Sequence, residues 1–120
     1  MELEINNEVY QLVGGFGFLH EVNKKVAIDI GDTKAKKDIG LTIMVANMLD
    51  NDMDALVDCI LALNVGQTPR LKRADVESYL EDVEDIDKVF GDIIDFLKQT
   101  NVSRKVVEAL TSTLAQTQAK

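Results

Sequence analysis

Residues 75–97 read DVESYLEDVEDIDKVFGDIIDFL, and they commit the chain to helices with two unlike faces. Ile86, Val89, Phe90, Ile93, Ile94 and Leu97 recur at steps of three and four, which puts them on one apolar stripe. Upstream, Val76, Tyr79, Leu80 and Val83 repeat the pattern, and EDVED reads as a break or bend between the two helical stretches. Nine carboxylates (Asp75, Glu77, Glu81, Asp82, Glu84, Asp85, Asp87, Asp92, Asp95) occupy the remaining positions against a single lysine, Lys88. One face therefore needs a partner, and the other restricts what that partner can be.

Working outward, 120 residues predict one domain, residues 1–120. A chain of this length buries about two-thirds of its surface on folding, enough for a core without staples. The hydrophobic fraction of 46 % and charged fraction of 28 % are those of a globular protein. A net charge of −8 disfavours direct contact with nucleic acid or an anionic membrane, since both need clustered Lys and Arg. Cys59 is the only cysteine, so no intrachain disulfide forms and a reducing cytoplasm fits best. MELEINNEVY lacks the basic start and apolar centre of a signal peptide, and no apolar run approaches the ~20 residues of a membrane span. The expectation is a soluble, acidic, intracellular domain.

At the N-terminus, Leu3 and Ile5 alternate with Glu2 and Glu4, and beyond Asn6-Asn7 the residues Tyr10 and Leu12 flank Gln11. Alternation around an Asn-rich turn predicts a β-hairpin with one buried face. Gly14-Gly15 ends it, and Phe18, Leu19, Val22 and Val26 mark a first helix. Val26, Ile28 and Ile30 also alternate with Ala27 and Asp29, which allows a third strand there. TKAKKD, residues 33–38, is the one basic patch and reads as an exposed loop containing Lys34–Lys37.

Leu41, Met44, Val45, Met48 and Leu49 predict the next helix. Asp52 is placed to N-cap another, with the stripe Leu56, Val57, Ile60 and Leu63. Gly66 stands where a C′ glycine would end it, and Thr68-Pro69 prevents its continuation. After the acidic helices, Asn101 or Ser103 can cap a last helix carrying Val106, Val107, Leu110 and Leu114, whose polar end TSTLAQTQAK should fray. The predicted class is α+β, mostly α: an N-terminal β-hairpin packed on a compact set of four to six helices.

Candidate chemical sites dissolve on inspection. Asp50, Asp52 and Asp54 have the spacing that opens a calcium loop, but Ala55 and Leu61 stand where the motif needs glycine and a bidentate glutamate. Helix capping explains these aspartates better. Gly14, Gly15 and Gly17 sit between strand and helix like a phosphate loop, yet the third glycine of G-x-G-x-x-G falls on His20 and no Lys-Ser/Thr follows. With one histidine and one cysteine there is no zinc set, and a Cys59–His20 pair would have to meet by chance. No catalytic, cofactor or metal residue is predicted, and the enzyme reading ranks last.

Three segments in this order resemble the tail assembly chaperones of long-tailed bacteriophages, of the type in phages of low-GC Gram-positive hosts. They are MELEINNEVYQLVGGFGFLHEVNKK, IMVANMLDNDMDALVDCILALN and DVESYLEDVEDIDKVFGDIIDFLKQT, together most of residues 1–100. TKAKKD and the last twenty or so residues stand outside the resemblance. It implies a non-catalytic factor made in the host cytoplasm during infection or prophage induction. Such a factor binds the tape measure protein, keeps it soluble, helps recruit the tail tube protein and is absent from the mature virion. It also implies a longer frameshifted form with an added C-terminal domain, for which this chain would be the short form.

On the physical side, an amphipathic client docks through apolar anchors. Phe16, Phe18, Val106, Val107, Leu110 and Leu114 are the residues expected to contact a client or a second copy in a homo-oligomer, because the last stripe lies beyond the compact pattern. The competing expectation is that this stripe closes the core. Two rival functions stand beside the chaperone: a minor virion or tail-completion component, and a small acidic adaptor that binds a basic protein through residues 75–95.

Overall fold

The alternation at the N-terminus folds as a hairpin in a computed structural model that describes residues 1–30 and 36–118, with side chains for 1–24 and 40–112. Strands β1 (Glu2–Ile5) and β2 (Glu8–Gln11) pair antiparallel, with Leu3 opposite Tyr10 and Ile5 opposite Glu8. Asn6 (φ 52°) and Asn7 (φ 66°) both lie in the left-handed region, as a two-residue type I′ loop requires. Leu3 and Ile5 are buried while Glu2 and Glu4 face water. The hairpin rests on the helices. β1 packs against α4, and the Val13 amide donates to the Leu63 carbonyl at 2.8 Å.

Six helices follow among the described residues: α1 (Phe16–Ile30), α2 (Lys36–Leu49), α3 (Met53–Leu63), α4 (Arg73–Asp82), α5 (Ile86–Gln99) and α6 (Arg104–Gln118). The α+β, mostly α architecture is the expected one. Two local expectations are corrected. Val26, Ile28 and Ile30 continue α1 instead of forming a third strand. A five-residue alternation is compatible with either state, and no Gly or Pro interrupts the chain between Phe18 and Ile30. The basic run does not form a loop throughout either. Lys36, Lys37 and Asp38 begin α2, and residues 33–35 lie outside those described.

The junction of α2 and α3 shows how closely the polar turn is used. Asn51 (φ 63°) is the left-handed residue of a Schellman motif, in which the Asp52 amide reaches the Asn47 carbonyl at 3.0 Å and the Asn51 amide reaches Met48. Asp52 then caps α3, its carboxylate accepting from the Ala55 amide at 3.2 Å. At the other end of α3 the cap is Asn64, and Gly66 (φ 80°) stands one residue beyond the predicted C′ place.

EDVED is a true break. α4 ends at Asp82 with extended Val83 as its C-cap, and Asp85 caps α5 by accepting from the Lys88 amide at 3.1 Å. The α5 stripe buries Phe90, Ile93 and Leu97. Ser103 precedes α6, but its hydroxyl turns back to donate to the Leu97 carbonyl at 2.6 Å, a second donor beside the Thr100 amide at the end of α5. α6 packs on α5 and α2 and is helical to Gln118.

One continuous core runs from Leu3 to Val107. α1 packs on α2 and α3, and α3 also packs on α2 and α4. The α1–α2 crossing is so close that a Cβ on Gly40 would lie 2.7 Å from both the Asn23 Cα and the Val22 carbonyl oxygen. Buried Asn64 is the polar centre of the core. Its amide group donates to Gln11 O (3.0 Å) and Pro69 O (3.2 Å), and its Oδ1 accepts from Arg70 Nη1 (2.8 Å) and the Leu71 amide (2.7 Å). Every hydrogen-bonding position of that side chain is filled, so it stitches the hairpin to the loop after α3.

Candidate interaction surfaces

The residues singled out from the sequence separate into core and surface. Phe18 and Val107, both expected among the contact residues, are buried in the core and do not reach the surface of the free chain. Phe16, two residues earlier on α1, is 67 % exposed and lies beside His20, ring centroids 6.1 Å apart. Val106 and Leu110 are half-buried against the core, and the Leu114 side chain lies outside the described residues. The stripe of α6 is thus shared between core and surface. Its periodicity shows the stripe but not how much of its width α5 and α2 cover.

The chemical candidates keep their structural roles. Asp52 is a cap, and among the described residues no group of three or more His, Cys, Asp or Glu side chains is arranged for a metal. Gly14 lets the hairpin exit pass Thr100, whose Cγ2 would stand 2.5 Å from an added Cβ, so this glycine serves packing. Cys59 is fully buried and His20 exposed, so they form no nucleophile pair. Burial pushes the Cys59 thiol well above its ordinary range, and the Asp58 charge adds to the shift.

On α4 and α5 the carboxylates line the outer face. Lys88 is held by Asp92 at 2.8 Å, and that hydrogen bond raises the lysine's pKa. Of the nine acids only Asp75 is partly buried. An exposed acidic face of this kind repels other anionic surfaces and keeps the protein dispersed.

A second surface was not foreseen from the sequence. Between α1, α2 and α3 lies an open cleft of about 360 Å³. Val22, Met44, Ala55 and Ala62 form an apolar floor, with Ile43 on the wall 42 % exposed. Glu21, Asp52, Asp54 and Asp58 stand around it with Arg70 and Arg73. Arg73 is already engaged, by Asp58 (2.7 Å), Glu77 (3.1 Å) and Asp54 (3.5 Å). Arg70 donates to the Leu61 carbonyl (2.9 Å) and to Asn64. These lining residues come from separate helices, so no local pattern announces the cleft.

The chain belongs to the phage tail assembly chaperone family: the family profile described as Phage tail assembly chaperone protein, TAC, matches residues 2–111. The match passes through residues 33–38 and into α6, so it exceeds the first hundred residues that carried the resemblance. Burial of Val107 gives the physical reason, since the start of α6 is part of the core. Neither the comparison with curated proteins nor that with solved structures gave a match. Membership supports a role as a chaperone of phage tail assembly and implies interaction with tail proteins. No helix among the described residues is long and apolar enough to cross a membrane.

Proposed function

We propose that this chain is a single-domain, non-catalytic chaperone that binds the tape measure protein, keeps it soluble and helps recruit the tail tube protein. It acts in the host cytoplasm, alone or beside a longer frameshifted form, and leaves before the virion is complete. The family match over residues 2–111 carries this reading. The surface supports it: a long helical client needs apolar docking positions, and a net charge of −8 helps keep the complex dispersed.

The acidic adaptor remains a second reading because the α4–α5 carboxylates are exposed. Salt separates the two, since exposed charge pairs are screened over ~8–10 Å at ordinary ionic strength. In lysates of infected cells the chain should co-elute with the tape measure protein in moderate salt and be missing from purified particles. Finding it at stoichiometric levels in particles would make it a structural component. Loss of all binding at moderate salt would favour the adaptor.

A further inference from the structure

We propose that the cleft between α1, α2 and α3 is the docking site for an amphipathic helix of the client, one whose apolar anchors are flanked by Lys or Arg. The inference rests on the chaperone reading above and assigns it a place on the molecule. Three features carry it. First, the floor is apolar and Ile43 projects beside it with 42 % of its surface exposed, although its neighbours on α2, Met44 and Val45, are buried. A volume of about 360 Å³ falls at the lower end of the roughly 300–1,000 Å³ typical of ligand clefts. That suits a few anchor side chains at helical spacing, with the rest of the helix lying across the opening.

Second, among the described residues carboxylates outnumber cations around the cleft. Four carboxylates stand with two guanidinium groups. Arg73 pairs with Asp54 and Asp58, Arg70 is held by the Leu61 carbonyl and Asn64, and Asp52 caps α3. The rim thus keeps an excess of negative charge, with Glu21 outside these bonds. Glu21 is exposed, and the Asp54 side chain is 86 % exposed although it touches Arg73. A helix flanked by cations gains from this rim, whereas one flanked by carboxylates is repelled. Third, the cleft has fixed walls. The close α1–α2 crossing at Gly40 and the capped α2–α3 turn at Asp52 hold the three helices in place, so little ordering is needed on binding.

The test uses the full-length tape measure protein co-expressed with the full chain, scored by soluble client that co-elutes with it. Ile43→Asp and Glu21→Lys alter the wall and rim at exposed positions, and Val9→Asp, on the exposed face of β2, serves as control. Circular dichroism melts establish that each variant is folded; should Ile43→Asp melt early, Ile43→Ser replaces it. Ile43→Asp and Glu21→Lys should each reduce co-eluting client at least about fivefold, the loss expected on altering an interface residue that contributes to binding, while Val9→Asp matches wild type. Retention of the client by either folded cleft variant overturns the proposal and leaves the chaperone reading intact. Failure of the wild type itself counts against that reading instead. If light scattering shows that Ile43→Asp disrupts self-association but spares the client, the occupant is a second copy and the proposal falls.

Discussion

Asn64 is the residue on which most of the polar architecture converges, and nothing around it in the sequence marks it. Its partners are Gln11, Pro69, Arg70 and Leu71, so its role appears only when the hairpin folds back across α3. Asn64→Ala strands buried partners at once, and a loss of about 2–4 kcal/mol follows from a lost hydrogen-bond set plus the desolvation of what remains. Urea unfolding of the free protein measures it; a loss under about 1 kcal/mol would mean that water replaces the side chain at little expense. Cys59, by contrast, was legible, because a lone cysteine beside a helical apolar stripe is most simply a core residue. Its raised pKa keeps the protonated thiol dominant at pH 8, and thiolate is the reactive form. Alkylation should therefore be at least about a hundredfold slower in the native protein than in the urea-unfolded chain. Equal rates would contradict the buried site.

At the scale of elements, long periodic stripes read well, and short ambiguous runs did not. Asp52 caps the helix that its position predicts, because an N-cap is a local hydrogen bond, whereas the Asp85 cap of α5 was not foreseen and the Ser103 hydroxyl turns back to α5. Residues 26–30 misled because alternation over five residues does not separate strand from helix. The α1–α2 crossing gives a sharper test of the packing. Gly40→Ala gains about 1 kcal/mol of helix propensity but drives a Cβ onto the backbone of Val22 and Asn23, which cannot yield as a side-chain tip would. Overpacking of this kind costs about 1–3 kcal/mol, so the clash should win and the melting temperature should fall. A rise would show that the two helices separate readily.

The last helix offers a paired test. Val107→Asp places a charge among α5 and α2 side chains and should unfold the free protein, since an unpaired buried charge costs several kcal/mol, about 3–5 by analogy with a broken buried pair. Leu110→Asp alters a half-buried position and should leave a folded chain with a lower melting temperature. Equal collapse of both, read by circular dichroism, would mean that the whole stripe is core and would remove α6 as a source of client or self-association contacts.

Among the described residues, carboxylates run along α4 and α5 and also ring the cleft beside Ile43, while Phe16, Val106 and Leu110 add exposed or half-buried apolar side chains elsewhere. The mostly α class with an N-terminal hairpin was legible because each element carries its own periodicity. The cleft was not, since its lining is drawn from separate helices brought together only by tertiary packing. The central claim is that this surface keeps an aggregation-prone helical client in solution, and the soluble fraction of co-expressed tape measure protein measures that directly. The account predicts that the client is insoluble alone and becomes soluble with this chain, the two eluting together in moderate salt. A client that stays insoluble with both this chain and any longer frameshifted form would contradict it.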